Sequence, residues 1–221
     1  MTWMLTSSGL EYHLSGPAAL GANGRTVAIE DIAHHLSLIN RFTGATSRPY
    51  SVAEHSLLCC DIAARAGASP VVQLAALMHD AHEAYVTDLS SPAKIAVNGY
   101  SMAGGGIPAW NLFENEHARA VHKHFGLLTV FASHRAFIRE VDLQALATER
   151  RDLMPYDPAK HTPWAVLSEG GPTPVPALYW TRLDTPEREA KTWREWRDAF
   201  RGRFEELRAE AADKLQKALA C

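Results

Sequence analysis

The fold of this chain is decided by residues 69–83, Ser-Pro-Val-Val-Gln-Leu-Ala-Ala-Leu-Met-His-Asp-Ala-His-Glu. A serine followed by proline at the first helical position predicts that a helix begins here. Apolar residues at helical spacing carry it to about Tyr85. The pair His79-Asp80 directly follows the apolar run that ends at Met78. Because a charged aspartate beside buried apolar residues is costly unless it is paired or binds a metal, this pair is the first candidate for a ligand site.

A helix is also predicted upstream of this segment. Apolar residues follow helical spacing from Ile29 onward. Gly44 is predicted to stop this helix, so that Arg41 and Phe42 lie near its end. We therefore expect one cationic and one aromatic side chain at the C-terminal end of the first helix.

A capping box predicts the start of the next helix. Ser51 is followed three residues later by Glu54, and this spacing is typical of a helix N-terminus. The helix is predicted to end at Gly67 and to carry His55 in its first turn. Further helices are predicted from Ser91-Pro92, over residues 110–125, over residues 133–154, and from Thr185-Pro186 for about 30 residues. The last helix carries an apolar stripe that favours a place in the core or a subunit interface: Trp193, Trp196, Phe200, Phe204 and Leu207.

The remaining segments complete a mainly α fold class. Residues 2–14 read as two short strands around Ser-Ser-Gly, which predicts a β-hairpin. Residues 98–108 are Gly-rich and are predicted to form a flexible loop, and the six prolines of residues 155–184 predict an irregular strap. We expect a single domain made of a hairpin and link (1–27), a core that carries the metal site (28–152), and the strap with the C-terminal helix (153–221).

Composition describes an ordinary globular protein, with 47% hydrophobic residues, 21% charged residues and a net charge of -3. Without an excess of basic residues, it gives no support for a nucleic-acid partner. No apolar run reaches membrane-spanning length, and the N-terminus lacks a signal-peptide pattern. The three cysteines form no disulfide framework, which fits a reducing compartment. We therefore expect a cytoplasmic protein without a membrane partner.

Two imidazoles and two carboxylates could enclose one divalent metal ion. His79 and Asp80 come from one predicted helix, His55 from the preceding helix and Asp142 from a later one, and helical bundles build metal sites in this way. Within a helix, Glu83 would share a face with His79 and point toward the same space. Nitrogen and oxygen donors without a thiolate suit Zn, Mn, Fe, Co or Ni. This constellation indicates a metal-dependent hydrolase.

Several ordered motifs resemble those of the HD-domain metal-dependent phosphohydrolases. The match is to the branch that contains bacterial 5′-deoxynucleotidases and related phage deoxynucleotide phosphohydrolases, and it covers roughly residues 28–152. The similar stretches are Leu-Ile-Asn-Arg-Phe at 38–42, Ser-Val-Ala-Glu-His-Ser at 51–56, Leu-Met-His-Asp-Ala-His-Glu at 77–83, Thr-Asp-Leu-Ser-Ser-Pro-Ala-Lys at 87–94 and Val-Asp at 141–142. The resemblance implies an HD-domain helical bundle.

The resemblance also implies a role for each matched residue. The metal ligands would be His55, His79, Asp80 and Asp142. Glu83 would orient or deprotonate the attacking water, and Asp88 would act near the leaving oxygen as an acid or a water-holder. Arg41 would clamp the phosphate, Phe42 would stack on the sugar or base, and Lys94 would be a second phosphate contact. Some family members carry tryptophan at the position of Phe42.

These expectations describe a divalent-metal-dependent phosphohydrolase of deoxynucleotides, with Co, Mn, Zn, Mg or Fe as the metal. The sequence contains no Walker-type Gly-rich loop and no dense Arg/Lys cluster beside the site. This favours a 5′-deoxynucleoside monophosphate over a triphosphate such as dATP. Three alternatives remain open: a deoxynucleoside triphosphate triphosphohydrolase, a hydrolase of RNA or signalling nucleotides, and a non-catalytic module that binds metal and nucleotide. The expected partner is a small-molecule nucleotide, and we expect a homo-oligomer, a dimer or larger.

Overall fold

Most of the described chain is helical. The computed structural model describes residues 2–16, 19, 25–171 and 173–219, so much of the predicted link lies outside the described residues. Strand β1 (Trp3–Leu5) pairs antiparallel with strand β2 (Glu11–His13). Gly9 takes a φ of 81° in the turn between them, a conformation that glycine adopts without steric cost. The mainly α fold class with a short N-terminal hairpin is confirmed.

Nine α-helices follow the hairpin within the described residues. They are α1 Ile29–Leu38, α2 Val52–Arg65, α3 Pro70–Met78, α4 Glu83–Val86, α5 Ser91–Ala103, α6 Ala109–His124, α7 Leu128–Leu153, α8 Pro186–Glu189 and α9 Trp193–Leu219. Two short 3-10 helices lie at Arg41–Gly44 and Ala165–Ser168. Within the described ranges, no helix is both long and apolar enough to span a bilayer.

Helices α2 and α3 lie between two apolar cores. One core joins them to α1 and α9, and the other joins them to α7 and the strap. Three residues of the α9 stripe belong to the first core, namely Phe200, Phe204 and Leu207, and Trp196 is buried as well. Full burial of such a side chain stabilises the fold by about 1.5–3 kcal/mol. The two cores therefore hold α2 and α3 in fixed positions relative to α7.

The first helix ends earlier than predicted. It stops at Leu38 rather than at Gly44, because the chain turns to pair with the segment before α2. The backbone N–H of Arg41 donates to the carbonyl of Tyr50 at 2.9 Å. This pairing leads directly into the 3-10 turn that carries Arg41 and Phe42. Backbone hydrogen bonds to another segment thus replace the helical ones and set the position of the Arg-Phe pair.

The predicted helix over residues 70–85 is interrupted at the candidate ligands. Helix α3 ends at Met78, and α4 begins only at Glu83. The ring Nδ1 of His79 lies 2.8 Å from the carbonyl oxygen of Ala76, which would accept the N–H of residue 80 if the helix continued. The Nδ1–H of the His79 imidazole therefore donates to this carbonyl in place of the backbone N–H of Asp80. The expectation that His79 and Glu83 share one helix face is therefore wrong, because a turn separates them.

Two further boundaries differ from the prediction. Residues 98–103 were expected to form a loop, but they continue α5. The run of glycines that ends this helix begins only after Ala103, and Gly105 there takes a φ of 79°. Helix α7 begins at Leu128 rather than at residue 133, and His134 interrupts its helical dihedrals. The helix start predicted at residue 133 therefore lies next to a kink within one longer helix.

The predicted C-terminal helix is split in two. Thr185 caps α8 as expected, since its side chain accepts from the backbone N–H of Arg188. The backbone N–H of Thr192 then donates to the carboxylate of Glu195 at 2.7 Å, and the N–H of Glu195 donates back to the Thr192 hydroxyl at 3.4 Å. This reciprocal capping box starts α9 anew. The described residues of the strap between α7 and α8 are irregular apart from one 3-10 turn, as the prolines predict.

Candidate metal centre

The four predicted metal ligands converge from three segments: the first turn of α2, the turn after α3 and the middle of α7. Nε2 of His55 lies 3.2 Å from Nε2 of His79, 3.5 Å from Oδ2 of Asp80 and 3.4 Å from Oδ1 of Asp142. Nε2 of His79 lies 3.1 Å from Oδ2 of Asp80 and 3.8 Å from Oδ1 of Asp142. An ion with bonds of about 2.0–2.2 Å holds neighbouring donors about 2.8–3.6 Å apart. The distances among His55, His79 and Asp80 fall within this range and the His79–Asp142 distance is slightly longer, so this cluster could hold one divalent metal ion.

Both imidazoles are oriented by partners outside the centre. Nδ1 of His55 lies 2.5 Å from Oε1 of Glu149, and Nδ1 of His79 lies 2.8 Å from the carbonyl oxygen of Ala76. Because a carboxylate and a carbonyl can only accept, each Nδ1 carries a proton and each Nε2 faces the shared space. A metal-binding histidine almost always has such an outer partner. The two rings are therefore held as a preformed pair of nitrogen donors.

Cys59 adds a donor that sequence reasoning missed. Its buried Sγ lies 3.5 Å from Nε2 of His55. Together with His55, His79 and Asp142, it offers donor atoms that all lie within 4.8 Å of one another. Cys59 follows His55 by four residues, and this spacing on α2 is a signal that could have identified it. The expected set of two imidazoles and two carboxylates stays a prediction, and a Cys59 thiolate added to it would favour zinc over a harder ion such as Mg.

Negative charge is concentrated around the imidazoles. Burial lowers the pKa of His79, but Asp80 and Asp142 outweigh that effect and hold it well above its usual value. Burial acts in the opposite direction on Asp142, yet His55 and His79 hold the pKa of this carboxyl well below its usual range. The pocket therefore stabilises positive charge at its centre. A divalent cation bound by neutral imidazoles would satisfy the same carboxylates.

Glu149 connects three groups around the centre. It is fully buried, and its Oε1 accepts from the hydroxyl of Tyr50 at 2.9 Å as well as from His55. Its Oε2 accepts from Nη2 of Arg41 at 3.3 Å. Burial raises the pKa of Glu149, but Arg41 and His55 outweigh it and lower that pKa. Sequence reasoning missed Glu149, although it follows Asp142 by two turns on the same face of α7.

Arg41, the predicted phosphate clamp, lies beside the ligands. Its Nη1 is 3.6 Å from Oδ2 of Asp80. Burial lowers its pKa, but Glu149, Asp88 and Asp80 together raise that pKa well above the usual value. Its buried Nε has no hydrogen-bond partner among the described residues. A buried donor without a partner calls for an explanation, and an anionic ligand is one.

The negative charge of Asp80 raises the pKa of both predicted catalytic residues, Glu83 and Asp88. Burial, then Asp80 and Asp88, raise the pKa of Glu83 well above its usual value. Burial and Asp80 also raise the pKa of Asp88, against the effect of Arg41. The Oε2 atom of Glu83 is buried and accepts no hydrogen bond within the described part of the chain. Carboxyls with raised pKa values beside a metal centre are suited to proton transfer.

Lys94 is paired within the site and is not a solvated surface residue. Its Nζ lies 2.5 Å from Oε1 of Glu114 and 3.9 Å from Oε1 of Glu83. His82, Glu83 and Glu114 form a second group of possible metal ligands, but the Lys94 ammonium already supplies positive charge there. Glu114 comes from α6 and carried no sequence signal that pointed to the site. A phosphate contact by Lys94 would require it to exchange one of its carboxylate partners.

Backbone strain adjoins both predicted substrate segments. Phe42 and Thr43 have φ values of 55° and 54°, and Thr87 has a φ of 72°. Positive φ is unfavourable for residues other than glycine, most of all for β-branched ones. The first pair follows Arg41, and Thr87 immediately precedes Asp88. Strain of this kind clusters at functional sites, which agrees with the placement of the site at these two turns.

Fold and site together define a class, namely a mainly helical protein with a candidate centre for a divalent metal. The chain matches no family model. It is 33% identical over 153 residues to the uncharacterized protein YfdR of Escherichia coli (strain K12), a match that covers 69% of this chain and 73% of the relative. It is 34% identical over 164 residues to the uncharacterized protein RCAP_rcc00048 of Rhodobacter capsulatus, with 72% and 76% covered. The chain belongs to the family of these two proteins, whose names state no activity.

Proposed function

We propose that this protein is an HD-domain phosphohydrolase that removes the 5′-phosphate from deoxynucleoside monophosphates with the help of a divalent metal ion. One observation carries the proposal: the Nε2 atoms of His55 and His79 meet the carboxylates of Asp80 and Asp142 within 3.1–3.8 Å. The order His, His-Asp, Asp is that of the phosphohydrolases that the sequence resembles. An arginine and two carboxyls with raised pKa values lie next to these four ligands.

Each neighbouring side chain has a task in this reaction. When bound, a divalent ion activates a water molecule and neutralises charge on the phosphate. Arg41 binds phosphate oxygens, for which its planar guanidinium is well shaped. Glu83 orients the attacking water and accepts its proton through the carboxylate oxygen that lacks a described partner. Asp88 donates a proton to the leaving 5′ oxygen, a role that its raised pKa supports.

The charge of the site supports a monophosphate as substrate. Among the described residues, two cationic side chains contact its carboxylates, Arg41 and Lys94, and both already form ion pairs there. A triphosphate carries more negative charge and would need more cations to offset its desolvation. Hydrolysis of dATP to deoxyadenosine and tripolyphosphate is the alternative that this argument disfavours.

A panel of nucleotides and metals tests the proposal. Purified protein would be incubated with deoxynucleoside mono- and triphosphates in the presence of Mn, Co, Zn or Mg, and the products would be identified. We expect free phosphate from dAMP and no turnover by His79→Ala. Tripolyphosphate from dATP would select the triphosphohydrolase. Binding of metal and nucleotide without turnover would select the non-catalytic module. The predicted homo-oligomer stays a prediction that light scattering can check.

A further inference from the structure

An aromatic cluster joins the Pro-rich strap to the surroundings of the metal centre. The ring of Trp164 lies 6.1 Å from that of Phe42 and 6.2 Å from that of Tyr156, centroid to centroid. The guanidinium carbon of Arg150 lies 4.4 Å from the Tyr156 centroid and 5.6 Å from the Trp164 centroid. We call these four residues the aromatic platform. All four are half-buried, so each keeps part of its side chain open to solvent.

The platform is linked to the metal centre at two points of the chain. The guanidinium carbon of Arg41 lies 5.4 Å from the ring centroid of Phe42, while Nη1 of the same arginine lies beside Asp80. Arg150 directly follows Glu149, which orients His55. A phosphate held by Arg41 would therefore place the rest of its molecule next to Phe42, with Trp164 behind it.

A cavity of about 520 Å³ lies beside three of the four platform residues, on the side that Phe42 does not line. Its walls include Arg150, Tyr156 and Trp164, and strap prolines such as Pro158 and Pro163. The volume lies in the range of sites that bind small molecules. Aromatic faces next to an arginine are the surface on which nucleobases stack, because every base has a π-face and the guanidinium adds a cation–π contact.

We propose that the aromatic platform binds the nucleobase of the substrate and that Trp164 is a specificity-determining residue. The strap then has a function of its own, since it supplies two of the aromatic rings against which the base lies. This inference rests on the proposed function, which supplies the phosphate end of the substrate. The competing explanation is that the platform only fastens the strap to α7, in which case it would contribute nothing to ligand affinity.

Calorimetric binding of deoxyadenosine and of inorganic phosphate to the metal-loaded protein tests the inference. Deoxyadenosine carries the base but no phosphate, so its binding does not depend on turnover. We expect Trp164→Ala to weaken deoxyadenosine binding about tenfold or more, since stacking on one ring is worth about 1–3 kcal/mol. Phosphate binding should not change, and Trp164→Phe should retain most of the affinity. The KM for dAMP should rise in Trp164→Ala, while the KM for deoxyribose 5-phosphate stays the same.

Tyr179→Ala is the matched control, because Tyr179 is an aromatic residue of the same strap and is 96% exposed. It should bind both ligands like wild type. If Trp164→Ala lowers the melting temperature, Arg150→Gln serves as the second variant, because it leaves the three rings in place. It should weaken the binding of deoxyadenosine but not that of phosphate. The inference is overturned if Trp164→Ala loses affinity for deoxyadenosine and phosphate equally, or loses affinity for neither. In that case, hydrolysis of dAMP by the wild type still supports the proposed function. If the wild type neither hydrolyses nucleotides nor binds phosphate, the proposed function fails first.

Discussion

Single side chains outside the ligand set decide whether the metal centre is preformed. The Nδ1 atoms of His55 and His79 are held by Glu149 and by the Ala76 carbonyl, so both Nε2 atoms face the same space. Outer partners of this kind fix the ring orientation and raise the basicity of the ligand. Glu149 is the more informative of the two, because a side chain can be replaced and a backbone carbonyl cannot.

We predict that Glu149→Gln weakens metal binding by about 10- to 100-fold. The amide keeps the shape of the side chain but removes the negative charge that stabilises the His55 ring as a donor. Isothermal titration with Mn or Zn measures the change. Glu140→Gln serves as the control, because Glu140 is exposed on the same helix. Unchanged affinity in Glu149→Gln would show that Glu149 has only a structural role.

Glu83→Gln should lower kcat for dAMP by about 10²–10⁴-fold while metal content stays near that of wild type. The amide can still fill the buried space, but it cannot accept a proton from water. Elemental analysis of the metal, together with phosphate release, separates the two effects. A variant that loses its metal along with its activity would indicate that Glu83 helps to hold the ion and does not act as a base.

At the scale of elements, the first turn of α2 sets the position of His55. Ser51 caps this helix, and its hydroxyl accepts from the backbone N–H of Glu54 at 3.2 Å. The Glu54 carboxylate does not return to Ser51 as a full capping box would require. It binds Nη2 of Arg48 at 2.7 Å and Nη1 of Arg188 at 2.8 Å instead. The helix start is thereby fastened both to the preceding loop and to α8.

Ser51→Ala is predicted to lower the free energy of unfolding by about 1 kcal/mol, because it leaves an N–H at the helix start without its cap. Ser69→Ala is the matched control. Ser69 occupies the same position before α3, but its side chain makes no cap hydrogen bond within the described residues. Urea unfolding of both variants measures the difference. Equal losses would mean that the Ser51 hydroxyl contributes no specific stabilisation.

A buried histidine docks the N-terminal hairpin onto α6 and makes this contact sensitive to pH. Nδ1 of His117 accepts from the hydroxyl of Tyr12 at 2.8 Å, while its Nε2 donates to the carbonyl of Leu14 at 3.2 Å. Burial, assisted by Arg25, lowers the pKa of His117 to about 4. Protonation of Nδ1 would remove its ability to accept from Tyr12.

Stability should therefore fall as the pH is lowered from about 6.5 to about 4. In this window the unfolded chain binds a proton at His117, with an ordinary pKa near 6.5, and the folded chain does not. Across this whole pH window, the lowered pKa of His117 should reduce the free energy of unfolding by roughly 3 kcal/mol. Urea unfolding at several pH values measures the slope, and His117→Gln should reduce it. An unchanged slope in that variant would assign the pH dependence to other groups.

At the scale of the whole molecule, the metal centre joins parts of the chain that are distant in sequence. Its candidate ligands come from α2, from the turn after α3 and from α7, and the two apolar cores hold these three segments together. An ion bound to all of them binds the folded state and not the unfolded chain. Metal binding should therefore stabilise the fold as a whole.

Metal at about one hundred times its dissociation constant should raise the melting temperature by roughly 5–10 °C. Removal of the metal with a chelator should reverse the shift. In Asp142→Ala the shift should disappear together with metal binding. The control Asp198→Ala, on the exposed face of α9, should keep it. Full metal content in Asp142→Ala would show that the fourth ligand is a different residue, with Cys59 as the nearest substitute.

Local signals in the sequence determined the elements and the candidate ligands of this protein. Cap and proline signals marked the starts of α2, α3, α5 and α8, and glycines marked the ends of α2 and α6, because these signals act on hydrogen bonds within a few residues. The capping box of Thr192 and Glu195 was present in the sequence as well. It was not used, because the apolar stripe of α9 suggested one continuous helix. His55, the His79-Asp80 pair and Asp142 could be proposed as ligands because their residue types and order follow a known pattern.

Only the tertiary structure decided what surrounds those ligands. Glu149, Cys59 and Glu114 reach the site from helices whose packing depends on contacts between distant segments. The break in the helix after Met78 also depends on a distant segment. The His79 ring bonds to the Ala76 carbonyl, which a continuing helix would use, and its other nitrogen lies beside His55. Helical periodicity describes one segment at a time, whereas a metal centre depends on where several segments meet. That is why the candidate ligands could be proposed from the sequence but their orientation and partners could not.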